Sequence, residues 1–536
     1  MTAVLSLAVV AAFVGVWFAL AEQLVAWSDE ITHLSAAQGL LLTGRPYLVA
    51  FDRCAALTPV QYFRGLEITW LAAQSYRLFG ESLRAARSTP LLFTVLAWLA
   101  YAIYARVRAG ASGKHIAVAA LLFFGQSLVL EQALNVRMYA PMLLLLVLGF
   151  VAIWEASSQW QRGRRTRALG WAAAAAVLVG VPTLRGWHPL PAAIVALGLT
   201  VLAVAKWPET VAPLTAVGRA VSGLPPRWRY PLLGVLLYAL FAVSVVSTLA
   251  LDFLAGRLLG TLRVHATLLW DNAFGLLRFV LVTNVLIVVA FRWLRSRRPA
   301  LGFDEWLLVT GVGSGLLVGL FMTHLYVFYS RYFYLSVGLA VLGASRPLAA
   351  LARRPAAILI VTYLVLNVLA SVVILKLDRG DIREAIAWLR PRMTADDVVV
   401  TFGADLYLNG GRDFCPQSIP IVADRNADTA SREGRGFYWM RRDPARDPFL
   451  TRQELGDVLR SHPRGRVYFL YTDFYQFRNR LYATMVGKPR AGGTDLLTLL
   501  RDGDVGVSLL PGLRGAGVRE LDRAKLATAL AGGAGR

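Results

Sequence analysis

The chain has 536 residues, of which 57% are hydrophobic and only 17% charged, with a mean hydropathy of +0.53. Soluble domains carry about a quarter charged residues, so these values exclude a soluble globular class and indicate a polytopic membrane protein. The formal charge of +23 lies largely in loops beside apolar runs, where it reports topology rather than a nucleic-acid partner; two cysteines exclude a disulfide-rich scaffold, an iron–sulfur protein and a zinc ribbon.

The opening run, Thr2 to Val25, is long enough to cross the hydrocarbon core and lacks a basic n-region and a small-residue cleavage site, so it is expected to be a retained first helix. Apolar runs recur at about 88–105, 115–130, 139–156, 168–184, 189–205, 231–251, 274–291, 306–323, 332–350 and 355–375. That makes eleven expected spans. No GxxxxGK(S/T) loop is present, which argues against an ATP-driven pump, and no internal repeat points to a transporter built from two halves.

Orientation follows from the cations, because cytoplasmic loops retain positive charge. With the N-terminus inside, the inner loops hold Arg106, Arg108 and Lys114; Arg162, Arg164, Arg165 and Arg167; Lys206, Arg219, Arg227 and Arg229; Arg292, Arg295, Arg297 and Arg298; and Arg346, Arg353 and Arg354. The short outer loops hold only Arg137, Arg185, Arg257, Arg263 and Arg331. This alternation supports the odd helix count and places both the first loop, 26–87, and the tail after Lys376 outside.

Just beyond the first helix, Trp27-Ser28-Asp29-Glu30-Ile31-Thr32-His33 sets two adjacent carboxylates and an imidazole at the outer boundary, a placement suited to chemistry near a lipid headgroup. The stretch Ile31 to Leu42, stopped by Thr43-Gly44-Arg45-Pro46, is expected to be a helix lying in the interface, with a second at about 61–79. From composition alone the pair also reads as an ordinary helix start, with Asp29 as the cap. After Lys376 the apolar runs shorten to strand length, as in Val398-Val399-Val400-Thr401-Phe402 and Val467-Tyr468-Phe469-Leu470-Tyr471. Asp381 to Leu389 places Ile382, Ala385, Ile386 and Leu389 on one helical face. Helix followed by buried strands indicates a small α/β domain. The division is thus 1–376 as the transmembrane part and 377–536 as the outer domain.

Several segments, in order, resemble one family. They are the Asp29-Glu30 pair after a first helix; Phe79-Gly80-Glu81-Ser82-Leu83-Arg84-Ala85-Ala86-Arg87, similar to an Arg-bearing start of the second helix; Glu131 to Tyr139, with its Arg137-Met138-Tyr139 turn; Tyr329-Ser330-Arg331-Tyr332; and Asp378 to Ala385 leading to Asp397-Val398-Val399-Val400. Together they resemble the GT-C glycosyltransferases, in particular the branch of the protein O-mannosyltransferases and the bacterial lipid A aminoarabinose transferases. Each motif is short, and their order along most of the chain carries the specificity. The resemblance implies a GT-C fold and transfer of a sugar from a polyprenyl-phosphate donor on the outer face, with Asp29 as base and Glu30 supporting it or positioning the acceptor. The expected course is a direct, inverting displacement.

A departing phosphate needs cations at the outer helix ends, where guanidinium can give two parallel hydrogen bonds. Arg87, Arg137, Arg185 and Arg331 fit that depth; the alternative for each, and for Arg84, is a snorkelling anchor. Arg137 and Arg331 are favoured because Tyr139 and Tyr332 stand beside them in matching motifs. His33, His188 and His324 fall on the same side. A divalent cation held by Asp29, Glu30, His33 and His188 is conceivable by residue type, but no spacing is metal-specific and no essential ion is assumed. Cys54 and Cys415 both face the outer compartment, where a disulfide tying domain to loop is chemically allowed.

The rival from another class is a flippase or transporter of a lipid-linked sugar. Charged residues inside spans mark polar pathways, whereas the expected span interiors here carry almost no Asp, Glu or Lys. A binding or assembly protein would leave Asp29-Glu30 unexplained. The Ala, Leu, Arg and Gly bias indicates a GC-rich bacterial genome, hence a bacterial inner membrane and a bacterial polyprenyl carrier. The acceptor stays open among lipid A or core sugars, a polysaccharide, a lipid and a protein, with single-sugar transfer favoured.

Overall fold

In the computed structural model the described residues are 2–24, 26, 28–48, 65–184, 190–206, 282–290, 292, 301–322, 330–376, 382–401, 418–420, 455–456, 459–460, 463–472, 499–500, 504–510 and 516–531. The expected span at 231–251, the start of that at 274–291, and Arg185, His188, His324, Cys54 and Cys415 lie outside them. The chain divides into two compact units, Met1–Ala19 with Arg87–Ser371 and Leu20–Ala86 with Val372–Arg536.

The first unit is helical: most of α1 (Thr2–Gln23) and of α4 (Leu83–Val107), then α5 (Gly113–Phe124), α6 (Ser127–Ala133), α7 (Tyr139–Gln161), α8 (Arg165–Leu184), α9 (Leu190–Lys206), α10 (Phe303–Met322), α11 (Tyr334–Ala349) and α12 (Arg353–Lys376). Among the described residues, four helices are long and apolar enough to cross a membrane, or five if the bent pair α5–α6 is one span. The centre of the unit is α11, buried from Tyr334 to Ser345 and packed against α10, α5 and α7. Its approach to α10 depends on glycine at both crossings. A Cβ on Gly343 would strike the backbone of Leu308 and Asp304, and one on Gly311 the backbone of Ala340 and Ser336. Small residues at such crossings let helices associate through close backbone packing where lipid supplies no hydrophobic drive.

The run at 115–130 departs from the straight helix its hydropathy predicts: α5 and α6 meet at a 68° bend. Breaking a helix frees backbone groups that an apolar environment must re-satisfy. Here the Gln126 carboxamide accepts from Leu128 N and donates to the Tyr363 hydroxyl at 2.8 Å, while Asn367 accepts from Ser127 N at 3.0 Å and donates to the Val282 carbonyl at 3.2 Å. At the end where α4 and α7 finish and α5 and α10 begin, the Tyr101 hydroxyl donates to Asp304 at 2.5 Å and lies within 2.9 Å of His115 Nε2 and 2.8 Å of the Ser345 hydroxyl. Arg346 adds its charge to Asp304 and Glu305 at 3.9 and 3.8 Å, and Glu155 joins Tyr104 to Arg108.

The second unit contains α2 (Ser28–Thr43), α3 (Leu66–Phe79), α13 (Ile382–Leu389), five strands and α14 (Arg523–Ala531). The strands are β1 (Val398–Thr401), β2 (Ser418–Pro420), β3 (Val467–Thr472), β4 (Gly506–Leu510) and β5 (Ala516–Leu521), in sheet order β2-β1-β3-β5-β4. β1 is parallel to β2 and β3; β5 is antiparallel to β3 and β4. Alternation along β1 and β3 divides their side chains between two cores, one facing α13 through Val399, Tyr468 and Leu470, the other facing α14 through Val398, Val400, Val467 and Phe469. Both faces are therefore buried, which is why these strands read as unbroken apolar runs.

Candidate active site

The acid pair opens α2. Because the helix begins at Ser28, Asp29 and Glu30 fall in its first turn, where exposed N–H groups favour negative charge. Glu30 and His33 are fully buried; the Asp29 side chain lies outside the described set. His33 Nδ1 is 3.0 Å from the Thr69 hydroxyl of α3, which is itself 3.4 Å from the Gly65 carbonyl. Gly65, at φ 61°, caps α3, and a Cβ there would lie 3.1 Å from His33 Cε1. One turn further along α2, Gln38 donates to Glu81. Hydrogen bonds between His33 and Thr69 and from Gln38 to Glu81 thus tie the acid-bearing helix to α3 and to the turn that follows it.

The last turn of α1 belongs to the same unit, and it is fixed from two sides. The Glu22 carboxylate accepts from Arg84 N at 2.9 Å. Arg383 of α13 donates to the Glu22 carbonyl at 3.0 Å and to the Gln23 carbonyl, satisfying carbonyls that a helix end leaves open.

The arginines belong to the first unit. Arg87 is fully buried on α4. Arg137 is 7% exposed in the turn between α6 and α7, with its guanidinium carbon 5.9 Å from the centroid of the Tyr139 ring. Ser330–Phe333 forms a 3₁₀ turn leading into α11, and this turn packs against α6 and α10. The structure therefore brings the Arg137–Tyr139 and Arg331–Tyr332 segments to one end of the bundle, although the Arg331 side chain is outside the described set. Sequence reasoning passed over Gln132, Asn135, Thr69 and Glu81; for the first two the signal was a polar run, Glu131-Gln132 followed by Asn135 and Arg137, inside an otherwise apolar stretch.

The described residues form a helical bundle whose first helix is followed in the chain by an acid-bearing helix and whose last is followed by a small mixed sheet. The crystal structure of ArnT from Cupriavidus metallidurans in the apo state superposes with a TM-score of 0.52 at 12% identity, over 97% of this chain and 98% of that one. The same protein bound to undecaprenyl phosphate gives 0.48 at 11%, over 97% and 98%. The archaeal oligosaccharyltransferase AglB from Archaeoglobus fulgidus, in complex with an inhibitory peptide and a dolichol-phosphate, gives 0.44 at 11%, over 96% and 74%. At 12% identity the likeness to apo ArnT shows a shared fold. No protein-family profile and no curated protein sequence matches the chain.

Proposed function

We propose that this chain is a multi-pass glycosyltransferase of a bacterial inner membrane that moves a single sugar from a polyprenyl monophosphate carrier to an extracytoplasmic acceptor. The observation that carries the reading is the placing of two adjacent carboxylates in the first turn of α2, directly after the first helix, in a chain whose fold is shared with ArnT over almost its whole length. The N-terminus is assigned to the cytoplasm, the eleven spans to residues 1–376, and residues 377–536 to an outer domain.

In this reading an acceptor hydroxyl oxygen attacks the anomeric carbon while the Asp29 carboxylate takes its proton; the bond from that carbon to the phosphate oxygen breaks, and the electron pair leaves with the phosphate. The configuration inverts. Glu30 supports Asp29 or orients the acceptor. Arg137 and Arg331 take the growing phosphate charge, with Arg87 behind them and Arg185 in a lesser part. Tyr139 and Tyr332 line the headgroup site, and His33 and His188 are assigned to substrate binding. Phosphate leaves readily, so the scheme needs no general acid.

The test is mass spectrometry of lipid extracted from the purified protein and from Asp29→Asn. A sugar-charged carrier enriched in the variant, with transfer reduced about a hundredfold or more, is the expected result. Full transfer by Asp29→Ala sinks the assignment of the base. If neither protein binds a charged carrier even when it is supplied, the donor class falls.

A further inference from the structure

Buried polar side chains almost always have a hydrogen-bond partner, so those that do not point to a missing one. At the end of α6, Gln132 is 1% exposed and Asn135 2%. Among the described residues, neither Gln132 Nε2 nor Oε1, nor Asn135 Oδ1, meets a hydrogen-bond partner. The two residues are joined by a tight turn: Asn135 N donates to the Gln132 carbonyl at 3.4 Å, and Arg137 N to the Asn135 carbonyl at 2.7 Å. Two carboxamides are therefore held on the same few residues of backbone as Arg137.

We infer that Gln132 and Asn135 form a subsite for the hydroxyl groups of the donor sugar. The inference rests on the reading of Arg137 as a phosphate ligand. A neutral carboxamide offers both donors and an acceptor, which matches a ring hydroxyl, itself donor and acceptor. Phosphate presents only acceptor oxygens, so it pairs with an amide N–H but leaves the carbonyl oxygens of Gln132 and Asn135 unpaired. Since only the anomeric bond separates ring from phosphate, a group that reads the ring must stand beside the group that holds the phosphate. Gln132 and Asn135 occupy that position in the chain. Such a site rejects ligands lacking the hydroxyl, because its buried groups are then left unpaired.

The experiment compares binding of undecaprenyl phosphate, bare and carrying glucose, mannose, galactose or 4-amino-arabinose, to the full-length protein and to Gln132→Met and Asn135→Leu, which keep side-chain size. The wild type is expected to bind at least one charged carrier about tenfold more tightly than the bare one. Each variant is expected to keep its affinity for the bare carrier within about twofold and to lose most of that preference, with the ligand-free thermal midpoint unchanged or higher. Variants that keep the preference overturn the inference, as does a ligand-free midpoint lowered by several degrees with the preference intact, which marks a structural role. A raised acceptor KM with unchanged donor preference assigns the subsite to the acceptor instead. A wild type that binds the bare carrier but prefers no charged one also overturns the inference and leaves the phosphate site standing; one that binds no carrier at all removes the proposed function itself.

Discussion

His33 is held in place by two neighbours on α3, Thr69 through a hydrogen bond and Gly65 through space. Gly65→Ala adds a methyl 3.1 Å from the imidazole at a residue whose φ of 61° L side chains rarely adopt. A loss of about 1–2 kcal/mol is expected, together with reduced transfer, because the ring must shift on the acid-bearing helix. Thermal melting and turnover of the variant check both. In the second unit, burial pushes the Asp397 carboxyl up, but N–H donation from Arg466 at 2.6 Å and Thr394 at 2.8 Å, with the Arg466 charge, outweighs it and holds the group below the ordinary carboxylate range. A lowered folded value stabilises the domain above the unfolded value of about 4, and that stability is lost as pH falls through the folded one. Asp397→Asn is expected to cost about 1.5–3 kcal/mol at neutral pH and to flatten the acid limb of a melting profile. Equal losses for variant and wild type on acidification would assign that limb to other groups.

Helix boundaries were legible wherever an apolar run ended in Arg, Gly or Pro. The expected runs at 139–156 and 355–375 correspond to α7 and α12, which extend a few residues further. The bend between α5 and α6 was not legible, because hydropathy averages over Gly125-Gln126-Ser127 and the groups that satisfy the break come from residues up to 241 positions away. The same distance hid the Tyr101, His115, Asp304 and Ser345 cluster, whose hydrogen bonds span 14 to 244 positions. The glycine crossing of α10 and α11 was equally silent, since Gly311 and Gly343 sit among many glycines. Gly343→Val forces a side chain against the Leu308 backbone and is expected to lower stability by about 1–3 kcal/mol or to prevent folding. Gly170, which has open space around it, is the control and should tolerate alanine. The site was only partly legible: the acid pair stands out by residue type, whereas the polar run holding Gln132 and Asn135 gains meaning only once folding buries both side chains.

Among the described residues of the first unit, charged groups sit mainly towards helix ends. In the first unit one end gathers Arg106, Arg108, Lys114 and Arg346 around the Asp304 and Glu155 networks, and the opposite helix ends carry Arg87, Arg137 and the 3₁₀ turn. A lipid environment favours such segregation, because charged groups inside spans are costly. In the second unit, Arg383 and Glu22 are 361 positions apart. Ribosomal synthesis delivers the chain from its N-terminus, so the clamp on the last turn of α1 closes only when almost three-quarters of the polypeptide has been made and inserted. The acid-bearing helix is among the first segments to leave the ribosome, yet its mounting is finished by one of the later ones. Arg383→Ala is accordingly expected to slow maturation to a protease-resistant state more than it lowers final stability, by about 1–2 kcal/mol at most, and pulse-chase proteolysis measures the delay. Such ordering leaves the mounting of the acid-bearing helix incomplete while much of the chain is still being synthesised.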